Sequence, residues 1–152
     1  MGYGIDSAEW PTGIEVPSAV KQLIERFYQL LDNSDSGVRD ILADEVFASD
    51  GVAYFGATPF RGAEEIRNSR ANAWKVISMR KHEVLKVYVC DSNASDLLFT
   101  ARVAMGLRNG KQVEGEFTGR LAISDPQTAN PKLRLYQVWG DTSALMAALR
   151  DD

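Results

Sequence analysis

Apolar residues recur at helical spacing from Val20 through Leu23, Ile24, Phe27, Leu30 and Leu31, with Lys21, Glu25, Arg26 and Gln29 on the other side. The pattern predicts an amphipathic helix that opens at Pro17, a residue suited to a first helical position, and ends near Asn33. Asp32-Asn33-Ser34-Asp35-Ser36-Gly37 reads as a turn. Val38, Ile41 and Leu42 predict a short second helix over 38–44. Val52-Ala53-Tyr54-Phe55 reads as a strand, 57–62 as a loop, and Ile66, Ala73 and Trp74 as the apolar side of a third helix running from 63 to 77.

The second half changes character. Strand candidates cover 80–90, 97–107, 112–123 and 133–139, separated by the polar cluster 91–96, by Asn109-Gly110 and by the loop 125–131. Asn-Gly is a strong hairpin signal because both residues tolerate positive φ. Asp141, Thr142 and Ser143 offer caps for a last helix over 144–149. Helices followed by a hairpin-linked antiparallel sheet make an α+β fold rather than an alternating parallel one. A strongly curved sheet packed on N-terminal helices makes a cone with a pocket at its open end. Residues 1–16, punctuated by Gly and Pro, read as an arm, and 17–149 as one domain.

Composition narrows the chemistry. The chain has 152 residues, one domain's worth, with 45% apolar and 25% charged residues. A net charge of −4 gives nucleic-acid binding no bulk electrostatic support, and no apolar run reaches the length of a membrane span. The N-terminus has neither a basic nor an apolar leader region, so the cytoplasm is the expected location. Cys90 is the only cysteine and His82 the only histidine, too few for a zinc site of about four Cys and His ligands. No Gly-rich phosphate or dinucleotide loop is present. The expected chemistry therefore uses side chains alone, with no cofactor and no metal.

His82 is the first candidate, either as a surface or packed structural histidine or as a general acid/base. Strand alternation puts it on one face with Arg80, Val84, Lys86 and Tyr88, and a bulge anywhere would swap the two faces. Glu114, Glu116, Thr118 and Arg120 share a face that is either solvated or lines a pocket. Glu116 beside His82 would make a proton-relay pair. Arg102 either pairs with Glu114 or Glu116 across the sheet or meets a substrate oxygen. Arg39 is a surface residue or a clamp on a carbonyl. Tyr54, Trp74, Phe117 and Trp139 are core aromatics or walls for apolar rings, and Gln137 is networked or ligand-facing. Asp35 is first a turn residue.

The order of elements, together with Arg80-Lys81-His82-Glu83-Val84, Leu107-Arg108-Asn109-Gly110-Lys111 and Tyr136-Gln137-Val138-Trp139-Gly140-Asp141, resembles the SnoaL-like branch of the nuclear transport factor two-like superfamily, small fungal members above all. The resemblance implies a cone-shaped fold, a homodimer through the sheet and a cofactor-free pocket. Relatives include polyketide cyclases, scytalone dehydratase, ketosteroid isomerase and fungal isomerases. It makes His82 similar to the catalytic histidine of the dehydratase-like members, Tyr54 to a substrate-orienting tyrosine, and Asp35 to an acidic residue before the second helix. The second histidine of that pattern is missing. Ala104 stands where many fungal relatives carry an acid, which moves that role to Glu116 or leaves it empty.

The expectation is a cofactor-independent isomerase, cyclase or dehydratase for an oxygenated, apolar polycyclic metabolite. His82, Glu116, Arg39 and Tyr54 would do the chemistry. Asp35, Trp74, Arg102, Phe117, Gln137 and Trp139 would contact substrate. The alternative is a non-enzymatic small-molecule-binding or dimerisation module of the same fold.

Overall fold

The computed structural model describes residues 2–150. Helix α1 (Ser18–Leu31) buries the predicted stripe, including Val20, Ile24, Phe27 and Tyr28. Helix α2 (Val38–Ile41) continues through a π-helical turn over Leu42–Val46, two residues beyond its expected end. The wider turn brings Leu42, Ala43 and Val46 all into the core.

Strand β1 (Phe47–Tyr54) begins five residues earlier than its apolar run suggests, because a bulge between Phe47 and Val52 absorbs the polar Ser49-Asp50-Gly51. A Cβ at Gly51 would stand 2.9 Å from the Ala48 carbonyl oxygen, so glycine permits the bulge. The expected loop over 57–62 contains a two-residue strand, β2 (Phe60–Arg61). Helix α3 (Gly62–Ser69) is shorter than expected and gives way to a 3₁₀ turn at Arg70–Asn72. Only Ile66 is buried in α3, and the Ser69 hydroxyl donates to the Ile66 carbonyl at 2.6 Å.

Four long strands follow: β3 (Ile77–Val89), β4 (Asp96–Leu107), β5 (Gln112–Ser124) and β6 (Lys132–Gly140), then α4 (Ser143–Ala148). They form one curved, unclosed six-stranded sheet of order β2-β1-β6-β5-β4-β3. The β3–β4, β4–β5 and β5–β6 pairings are antiparallel, as the hairpin signals predict, while β1 pairs with β6 in parallel. The fold is α+β, with α1 packed into the sheet's inner face and a single core between them. Phe99 crosses Gly119, its registered partner, so closely that any Cβ there would collide with the ring. That contact sets the aromatic wall on which the site is built.

The N-terminal arm lies along the outer edge of β3. Gly4 accepts from Val84 N–H at 2.7 Å, and Glu9 exchanges bonds with Leu85 and Val87 at 2.9 and 3.0 Å. An open strand edge is thereby covered, and Tyr3, Ile5, Ala8 and Trp10 pack on the core.

Candidate functional site

A cleft of about 960 Å³ opens at the wide end of the cone. Its walls are mainly apolar, with Leu31, Phe55, Phe60, Met105, Phe117 and Val138 among them. His82, Arg80, Arg70 and Tyr136 bring polar groups to the inner end.

His82 sits on the inner face of β3 beside Val84. A register shift between Val84 and Lys86 then turns Val87 inward and Tyr88 outward. The His82 side chain is 10% exposed. It stacks on Tyr28 with ring centroids 4.6 Å apart, and the Phe117 ring meets it edge-on at 5.8 Å.

Its charged partner is Asp32. One carboxylate oxygen lies 2.5 Å from His82 Nδ1, and the other accepts the His82 backbone N–H at 2.8 Å and the Tyr3 hydroxyl at 2.9 Å. The Asp32 side chain is 2% exposed. An ionised carboxylate only accepts, so Nδ1 carries a proton, and in the neutral form of the ring Nε2 holds the lone pair. Nε2 has no hydrogen bond to any described residue.

Asp32 caps the C-terminus of α1, where a negative charge opposes the helix dipole. Two guanidiniums offset it. Arg80 and Arg70 each donate to the Leu31 carbonyl, the last of the helix, and Arg80 Nε lies 3.7 Å from Asp32. The Arg80 guanidinium rests 4.7 Å from the Trp74 ring centroid. Burial and, secondarily, Arg80 lower the Arg70 pKa to about 10; burial also lowers that of Arg80, against the pull of Asp32. Both remain cations at neutral pH. Burial first, then the charge of Asp32, pushes the Tyr3 phenol up to about 12. Tyr28 and Tyr136, whose hydroxyls meet at 3.2 Å, are raised chiefly by burial.

The residues singled out from sequence divide between three places. His82 and Phe117 meet in the cleft. Tyr54, Gln137 and Trp139 border it, but Tyr54 pairs with Gln137 one position beyond the inward Ala53–Tyr136 pair, so parity assigns their side chains to the other face. Trp139, 48% exposed, stands at the mouth.

Glu116 does not reach His82. Along β5 the inward positions are Phe117 and Gly119, and the Glu114 and Glu116 carboxylates turn outward to Arg102 at 3.2 and 3.5 Å. Arg102 is thus held on the outer face, away from the cleft. Arg39 is exposed on α2 and borders a second cleft of about 470 Å³ with Asp35 and Trp74; Arg70 lies between the two clefts and lines both. Asp35 is a turn residue whose carboxylate accepts Gly37 N–H at 2.8 Å. Trp74 reaches the site only from behind, through Arg80. The expected Asp35 and Arg39 contacts with a shared pocket are therefore not made with the His82 cleft. Asp32, Tyr3 and Arg70 belong to the site and carried no sequence signal beyond residue type.

No family model matches the sequence, and no curated protein matches it. The fold does match solved structures. A protein proposed to be a SnoaL-like polyketide cyclase, from Jannaschia sp. CCS1, superposes with a TM-score of 0.68 at 13% identity, covering 88% of this chain and 93% of that one. PrhC from Penicillium brasilianum NBRC 6234 gives 0.67 at 16% identity, covering 88% and 87%. A protein with a ketosteroid isomerase-like fold from Catenulispora acidiphila DSM 44928, in complex with trimethylamine, gives 0.65 at 15%, covering 83% and 90%. The likeness is one of fold: this chain has the SnoaL-like, nuclear transport factor two-like cone.

Proposed function

We propose that this protein is an acid/base enzyme that moves a proton on an apolar, ring-bearing substrate carrying an oxygen function, as an isomerase, cyclase or dehydratase. The observation that carries the reading is the buried Asp32–His82 pair at the inner end of an apolar cleft. Asp32 fixes the tautomer and turns the ring; His82 Nε2 takes a proton from the substrate and returns it at another atom. A proton lost from carbon beside a carbonyl leaves negative charge on the oxygen. Arg80, which lines the same cleft, stabilises it. Phe117 and Tyr28 hold the imidazole between apolar faces and keep water from it.

The sequence-based partner for His82, Glu116, is replaced in this scheme by Asp32, and the electrophilic role given to Arg39 by Arg80. The likenesses to cyclase and isomerase folds support the reaction class. The expected kinship with fungal members has the fold-level likeness to PrhC in its support. Cytoplasmic placement and a homodimer through the outer sheet face belong to the same proposal. No described helix is long and apolar enough to cross a membrane.

The reading is tested with 2-tetralone, a bicyclic ketone with acidic α-protons, followed by proton NMR in D₂O. The protein is expected to speed α-proton exchange saturably over buffer. Binding in the cleft with exchange at the buffer rate would instead support the non-enzymatic binding module.

A further inference from the structure

Two guanidiniums meet at one carbonyl at the inner end of the cleft. Arg70, from the 3₁₀ turn after α3, donates to the Leu31 oxygen at 3.3 Å, and Arg80, from β3, donates to the same atom. A guanidinium has five N–H donors. Arg70 makes this one long bond, and Arg80 Nε is buried without a hydrogen bond. The nearby carboxylate is Asp32, and its oxygens already serve His82 and Tyr3. The other acids bordering the cleft are engaged elsewhere: Glu114 and Glu116 with Arg102, Asp141 with the Ser143 backbone. The inner end therefore holds two cations against one anion, with guanidinium donors left over on Arg70, which lines the cleft. Burial chiefly, and the like charge of Arg80 second, lower the Arg70 pKa.

A neutral ligand filling the cleft would strip water from these donors and put nothing in its place. A carboxylate would supply the missing charge and accept a forked pair of bonds. We infer that the substrate is an acid: an apolar ring system whose carboxylate binds Arg70, with its reacting carbon at His82 Nε2. The inference rests on the proposed reading of this cleft as the substrate pocket. Arg70 is the specificity residue, while Arg80 is tied to Asp32 and to the Trp74 ring.

The test titrates the full chain at pH 7 and low salt with 2-naphthoate and with its neutral counterpart 2-acetylnaphthalene, following the His82 ring and backbone amides by NMR. 2-Naphthoate is expected to bind about tenfold more tightly or better, the range of one charge-assisted contact. Arg70→Gln should remove that preference and leave the Kd of 2-acetylnaphthalene within about twofold; Arg70→Lys should keep part of it. Arg39→Gln, on the second cleft that Arg70 also borders, should change neither Kd. Because Arg70→Gln relieves like-charge crowding, its unfolding temperature should not fall. Equal binding of the two compounds, or a preference that survives Arg70→Gln or is lost with Arg39→Gln, overturns the inference alone. If neither compound shifts residues around His82, the pocket reading fails and takes this inference with it.

Discussion

Asp32→Asn is expected to destabilise the fold by about 3–5 kcal/mol, the range for removing one member of a buried ion pair, and to remove base catalysis from the fraction that remains folded. Three donors converge on the carboxylate: His82 Nδ1, the His82 backbone N–H and the Tyr3 hydroxyl. Asparagine offers one acceptor oxygen and one donor group. If its oxygen faces the backbone N–H and Tyr3, its amide N–H₂ faces Nδ1 and drives the imidazole proton to Nε2, where no lone pair is left to take a substrate proton. If the amide is flipped, its N–H₂ opposes the His82 backbone N–H. In both orientations Arg80 loses its counterion while remaining largely buried. Urea denaturation should show a lower midpoint with an unchanged slope. The exchange of 2-tetralone α-protons should fall to the buffer rate even at temperatures where circular dichroism reports a folded chain. Wild-type exchange in a folded Asp32→Asn protein would remove Asp32 from the mechanism.

The second large effect is on His82. His82→Gln keeps a side-chain donor toward Asp32 and a similar volume, so the fold should persist, with any stability loss smaller than that of Asp32→Asn. Exchange should slow by about 10²–10⁴-fold, the usual contribution of a positioned acid/base group. Binding of 2-naphthoate should change little, because its carboxylate is assigned to Arg70. A drop in turnover with affinity preserved separates a proton-moving residue from a wall of the pocket. A parallel loss of both would make His82 a binding residue.

The fold was legible where side-chain periodicity is local. The α1 stripe from Val20 to Leu31 and the Asn109-Gly110 hairpin are written into neighbouring positions, and the elements match. The misplaced boundaries sit where backbone irregularity intervenes: the π-turn after Ile41, the Asp50-Gly51 bulge in β1 and the early end of α3 at Ser69. The parallel β1–β6 pairing joins segments far apart in sequence, and nothing local encodes it.

The site was only half legible for the same reason. His82 stood out as the sole histidine, and Phe117 falls beside it. Asp32 sits in an Asp-Asn-Ser-Asp run that reads as a turn, and its importance comes from a strand 50 residues away meeting the end of α1. Glu116 was plausible by type, but a period of two puts it on the Arg102 side of β5 once Phe117 faces inward. Arg70 lay in what read as the middle of a helix. The turn that ends α3 early is what carries its guanidinium back to Leu31.

Catalysis by His82 requires that Asp32 hold the neutral ring with its proton on Nδ1 and its lone pair on Nε2. Long-range ¹H–¹⁵N correlation of the imidazole, recorded above the pH at which the ring is protonated, measures this directly. His82 is the only histidine, so its signals need no assignment. The expected result is a protonated Nδ1, an unprotonated Nε2 and ring shifts that move when 2-naphthoate is added. A ring protonated on Nε2, or one averaging between tautomers and indifferent to ligand, would contradict it.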